Sequence, residues 1–189
     1  LYSGSGMICN DFKNNLMEIY FSKPLTWIDY CLGKMLTLVV IGLFLTALPG
    51  VLLVGFHNLL LPSMETLSAS WWWPIAIMAY SFVIIIPMTL GILACSSLLP
   101  SQNYAGITVI MLLVANSSLG VLFASMLKQR DYMAISFPLS MRRIGETIFG
   151  DERILFSLAW HWCFLYVAVV CIIALLIVLR KVRRAEMAL

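Results

Sequence analysis

Charge is what this sequence has least of. Charged residues make up 11% of its 189 positions and hydrophobic ones 62%, where a soluble domain carries about 25% and about 45–50%. A water-soluble core is excluded, because so much apolar surface would have nowhere to hide. The class that remains is an integral membrane protein. Residues 66–127 contain no Asp, Glu, Lys or Arg. At about 20 residues per crossing of a ~30 Å hydrocarbon core, that stretch is long enough to cross twice. A charge at the centre of a span costs roughly 2.5–3.5 kcal/mol on insertion scales, so the gap is what a bilayer solvent demands.

Other absences narrow the chemistry. There is no G-x-x-x-x-G-K-[ST] phosphate loop; Gly33-Lys34 lacks both the earlier glycine and the following hydroxyl. If ATP drives this protein, hydrolysis takes place on another chain. His57 and His161 stand far apart without a His-x-x-x-His partner, which argues against a metal site. Ser70, Ser81 and the other hydroxyls lack a His/Asp setting that would activate a nucleophile, so an intramembrane enzyme is disfavoured. The five cysteines (Cys9, Cys31, Cys95, Cys163, Cys171) show no paired or metal-type spacing and read as small reduced packing residues. A net charge of +3 is weak and gives no reason to expect nucleic acid. The opening "LYSGSGMICN" lacks the basic start and long apolar stretch of a signal peptide. It reads as the end of an earlier span, residues 1–9, in a fragment whose N-terminal part is missing.

What is present is a set of apolar runs. Four spans are predicted at 35–56, 71–99, 104–127 and 155–179. The first, about 22 residues or about 33 Å as a helix, contains Pro49-Gly50, which should kink it. The second is interrupted by Pro87. Only Pro100-Ser101-Gln102-Asn103 separates the second from the third, which predicts an antiparallel hairpin. The fold class is all-α, one polytopic transmembrane bundle over residues 1–189. With an even number of spans, residues 10–34 and the tail 180–189 share a side. That side carries Lys13, Lys23, Lys34, Arg180, Lys181, Arg183 and Arg184. The other carries Lys128, Arg130, Arg142, Arg143 and Arg153, offset by Asp131, Glu146, Asp151 and Glu152. Cytoplasmic loops hold the excess of Lys and Arg, so the first side is placed in the cytoplasm of a plasma membrane. Trp71 to Trp73, Trp160 and Trp162 would mark the outer interface, Trp27 and Tyr30 the inner one.

Residues 10–34 form a polar island. Phe12, Leu16, Ile19 and Tyr20 fall on one helical face. Asn10 or Asp11 is placed to cap the helix start, and Pro24 stops it. Thr26 then stands three residues before Asp29, a capping-box restart of a second short helix leading into the first span through Gly33-Lys34. One reading lays this helix on the lipid surface, but such helices load Lys and Arg on the polar face, and only Lys13 precedes Pro24. The other docks it, by its aromatic anchors and proline elbow, into a groove of a soluble protein.

The stretch "YFSKPLTWIDYCLGK" followed by a span resembles the first cytoplasmic loop of ATP-binding cassette (ABC) transporter permeases of the type-2 exporter class. The resemblance extends over the later spans, an outer segment and a basic tail, and leaves out the family's first span and most or all of its second. It implies a permease subunit that pairs with a second permease subunit and with cytoplasmic ABC ATPase subunits, which bind ATP and magnesium; no cofactor is implied for this chain itself. It implies that Leu16, Glu18, Ile19, Tyr20, Phe21, Ser22, Lys23 and Pro24 form the coupling helix that rests on the ATPase. Gly33 and Lys34 would then be the junction to the span.

Two further stretches are informative. Asn116-Ser117-Ser118, the most polar intramembrane cluster, reads either as lining of a translocation path or as interhelical hydrogen bonding. In residues 128–153, Met141, Ile144, Ile148 and Phe149 make an apolar stripe, with Arg142, Arg143 and Glu146 expected to face away, toward lipid phosphates or an acidic partner. The resemblance implies short helices dipping into the outer leaflet there; a solvated connector is the plain alternative. The function expected overall is ATP-coupled export of a cargo the residues do not name. A membrane scaffold that recruits a soluble partner without transport is the alternative.

Overall fold

A computed structural model of the protein describes residues 2–22, 26–60, 71–128, 130–150 and 159–187. Among them the regular elements are all helical: α1 (Tyr2–Ser5), α2 (Cys9–Lys13), α3 (Leu16–Phe21), α4 (Trp27–Leu60), α5 (Trp73–Leu98), α6 (Gln102–Leu127), a 3-10 helix (Arg130–Ile135), α7 (Phe137–Phe149) and α8 (Trp160–Glu186). Helices α4, α5, α6 and the Trp160–Arg184 part of α8 are each long and apolar enough to cross a membrane. The fold is an all-α bundle with four such helices, as the composition requires.

Helix α5 is the centre, packed against α4, α6, α7 and α8. Its most apolar window is 39% buried, against 17% in α4, 17% in α6 and 22% in α8. The outer three therefore keep large apolar side chains such as Phe44, Leu45 and Met111 exposed, which hydrocarbon accepts and water would not. Close packing of α4 on α5 rests on glycine. A Cβ on Gly50 would meet Ile77 Cγ2 at 2.8 Å, and one on Gly42 would meet Ile85 Cγ2 at 2.9 Å. These antiparallel contacts, with buried Val39, Ala47 and Val54 beside them, are the small-residue seam by which apolar helices approach in lipid.

Element boundaries differ from the sequence expectation in instructive ways. Helix α4 starts at Trp27, runs 34 residues unbroken past Gly33-Lys34 and retains Pro49. The expected short second helix does not exist as a separate piece. Its start signal does: Thr26 N–H and Oγ1 donate to Asp29 Oδ2 at 3.2 and 2.7 Å, and Asp29 N–H donates back to Thr26 Oγ1 at 3.3 Å. That capping box opens a helix about 51 Å long, roughly 20 Å more than the hydrocarbon thickness. Helix α5 opens with Pro74 in its first turn and holds Pro87 inside, and α6 begins at Gln102. Helix α8 carries Arg180 to Arg184 within it, so the basic run is the end of a rigid rod. Residues 151–158, the start of the expected fourth span included, lie outside the described residues.

The segment from Arg130 to Phe149 turns back into the bundle. Gly120 and Asn116 stand 7 and 11 residues before the end of α6 at Leu127 (127 − 120 and 127 − 116), so about 10 and 17 Å along the helix. The chain reaches both depths. Gly120 lies so close to Ser136 that a Cβ there would come within 2.6 Å of the serine Cβ and 3.0 Å of its backbone nitrogen. Phe137 N–H donates to Asn116 Oδ1 at 2.5 Å. Helix α7 then leads outward along α5, with Gly145 against the Tyr80 ring, and ends on Gly150 at φ 69°, a left-handed cap suited to glycine.

Candidate functional site

The N-terminal end of α4, the α5–α6 turn and the C-terminal end of α8 meet at one end of the bundle, and residues 2–22 pack onto them. This is where the sequence places its polar island, and the structure redraws that island. The helix expected to run through Phe12, Leu16, Ile19 and Tyr20 is broken: α2 ends at Lys13 with Asn14 as its C-cap, and Asn15 sits at φ 53°, a conformation asparagine tolerates better than most residues. The break rotates α3, so that Met17 is buried at 5% exposure while Ile19 stands out at 58%. The four residues do not share a face.

Three groups of contacts, centred on Asp11, Ser96 and Asn10, fix the island. Asp11, expected as a helix cap, is buried and accepts from the Tyr30 hydroxyl at 2.6 Å and pairs with Lys34 Nζ at 2.8 Å. Lys34 also lies 5.5 Å from the Tyr30 ring centroid. Capping of α2 comes instead from across the fold: Ser96 Oγ on α5 accepts the N–H groups of Ile8 and Cys9, both at 3.1 Å. Asn10 Nδ2 donates to Gln102 Oε1 on α6 at 3.2 Å. One short stretch is thereby tied to α4, α5 and α6. Around it, Tyr20 packs on Tyr30 with ring centroids 5.6 Å apart, and Lys181 of α8 sits 5.9 Å from the Phe12 ring.

The residues expected to contact a partner divide accordingly. Ile19 and Ser22 are exposed, Leu16 is half-buried, and Tyr20 is turned toward the bundle. Ser22 Oγ donates to the Ile19 carbonyl at 2.8 Å, closing α3. Lys23 and Pro24, and the side chains of Glu18 and Phe21, lie outside what the structure describes. Gly33 is an exposed mid-helix position with nothing near its missing Cβ, whereas Lys34 is part of the Asp11 cluster. Tyr30, expected at the membrane interface, is only 4% exposed because its hydroxyl serves Asp11. Ser96 and the grouping of Asp11, Tyr30 and Lys34 were not foreseen from the sequence. Their partners are 19 to 88 residues away, although a charged pair flanking a span was a visible signal.

Asn116, Ser117 and Ser118 all make hydrogen bonds within the protein. Ser117 and Ser118 donate back to the Val114 carbonyl at 2.8 and 2.9 Å, the usual way a helix satisfies its own hydroxyls. Asn116 takes the Phe137 N–H and gives its own N–H to the Tyr166 hydroxyl at 3.1 Å. It satisfies backbone that turns back at membrane depth, where an unmet amide costs several kcal/mol. Glu146 is a correction too. It is buried rather than facing away, with Arg142 Nε at 3.3 Å and Arg143 Nη1 at 3.6 Å. Arg142 is exposed as expected, while the Arg143 side chain is only 11% exposed. Among the described residues, no three His, Cys, Asp or Glu converge in a metal-binding group.

Comparison with family models, curated proteins and solved structures finds no match for this chain.

Proposed function

We propose that this chain is a membrane-spanning permease subunit of an ABC transporter of the type-2 exporter class. In this reading the basic end of the bundle faces the cytoplasm, and a separate ATPase subunit binds ATP and magnesium and rests on residues 16–24. A second permease subunit completes the path between the two membrane domains. One observation carries the reading: Ile19 of α3 and Ser22 at its end stand at the surface, while the preceding α2 is fastened to α4 by the Asp11–Tyr30–Lys34 cluster and Tyr20 of α3 packs on Tyr30. A docked motor needs such a joint, since a floppy loop would absorb the displacement it should pass to the spans. The cations at this end support its orientation, with Lys13, Arg180, Lys181, Arg183 and Arg184 all exposed.

Ile19 is the residue to test. With a photoreactive benzoylphenylalanine at position 19 in native membranes, crosslinking is expected to capture a protein that carries a phosphate-loop nucleotide site. Ile19→Asp should abolish its recovery with the purified chain. Adducts formed only with lipid would favour the surface-lying helix and contradict docking. Labelling of position 19 by an impermeant reagent from outside intact cells would overturn the orientation.

A further inference from the structure

A pocket of about 260 Å³ lies between α5, α6, α8 and the start of α7. Its walls include Pro87, Gly91, Leu112, Asn116, Phe137 and Tyr166. Two features make it more than a gap between helices. Gly91 follows Pro87 by one turn on the same face of α5, and nothing lies within 4 Å of where its Cβ would be. The helix presents bare backbone to the space. The polar groups are also few and specific. The Tyr166 oxygen accepts from Asn116 Nδ2, and among the described residues its own hydrogen has no acceptor. An apolar chamber with one unspent donor is matched by an apolar molecule with one acceptor. An unmet donor at this depth is costly, so such a molecule gains from filling it. For scale, an apolar cavity of about 150 Å³ is large enough to hold benzene.

We infer that the pocket bounded by Gly91, Leu112, Asn116 and Tyr166 binds one neutral, mostly apolar molecule of about two rings whose acceptor oxygen takes the Tyr166 O–H. The pocket lies within one chain and stands apart from the docking of α3, so each can fail without the other.

Benzophenone is the probe, since it is two rings around one carbonyl and inserts into nearby C–H bonds under light. With the full chain in phospholipid nanodiscs, adducts should concentrate on Met88, Leu112 and Leu113, about tenfold over the lipid-facing Phe44 and Leu45 of α4. Gly91→Leu, which fills the chamber, should remove that excess; Leu112→Trp, at the exposed rim, serves if the first variant does not fold. Tyr166→Phe should lower pocket capture about fivefold, and diphenylmethane, lacking the carbonyl, should compete more weakly than unlabelled acetophenone-type ketones of similar size. Equal labelling of pocket and α4 would overturn the inference, as would an excess that survives both filling variants. An excess seen in detergent and lost in nanodiscs would also overturn it, because acyl chains would then occupy the space. Capture unchanged in Tyr166→Phe would refute the hydrogen bond.

Discussion

Among the described residues each end of the bundle buries one carboxylate beside basic side chains, and the two are used differently. Asp11 reaches Tyr30 and Lys34, which belong to another helix 19 and 23 residues further along the chain (30 − 11 and 34 − 11). Glu146 meets Arg142 and Arg143 of its own α7, and neither of its oxygens accepts a hydrogen bond among the described residues. The first carboxylate is a tertiary fastener and the second balances charge locally. What holds the 130–149 segment is instead shape and a neutral amide, Gly120 against Ser136 and Asn116 on Phe137. The basic end adds a charged fastener to its neutral hydrogen bonds, whereas the opposite end relies on fit and a neutral amide.

Substitutions should separate these two modes. The largest loss is expected for Asp11→Ala, which takes the carboxylate away from Lys34 and from the Tyr30 hydroxyl: about 3 kcal/mol, read as a drop in Tm in detergent. The double variant Asp11→Leu/Lys34→Met should recover the ionic part of it, because an apolar pair replaces a desolvated ionic one, while the Tyr30 hydroxyl still lacks the Asp11 acceptor. Next comes Gly120→Ala, at about 2 kcal/mol, since the added methyl meets the Ser136 backbone, which cannot step aside. Glu146→Gln should cost about 1 kcal/mol, clearly less than Asp11→Ala; an equal or greater loss would erase the distinction between the ends. The smallest effect is expected for Thr26→Ala, about 0.5–1 kcal/mol from the lost cap, visible as faster amide exchange in the first turn of α4 alone.

Much of this fold was legible from the residues, because a bilayer leaves few options. The charge-free stretch of 66–127 forced two crossings, Pro100-Ser101 forced the hairpin, and Thr26-x-x-Asp29 marked a helix start that the structure realises in full. Local signals failed where distant groups outbid them. Periodicity through Phe12, Leu16, Ile19 and Tyr20 promised one amphipathic helix, but Ser96 caps α2 and Met17 claims the buried place, so Asn15 breaks the run. Glu146 and Arg143 read as a solvated face because their neighbours on α5 and α8 are not adjacent in sequence. Asn116 left both of its readings open for the same reason. Its partners, Phe137 and Tyr166, are 21 and 50 residues away.

The most direct test of the account concerns the stiffness of the island. Amide hydrogen exchange of the reconstituted chain should find Ile8, Cys9 and the α2–α3 segment protected to a degree approaching α5. Ser96→Ala should release Ile8 and Cys9, and Asp11→Ala the whole island. Exchange across residues 8–21 at the rate of an unstructured chain in the unaltered protein would contradict a rigid joint and remove the mechanical basis for coupling.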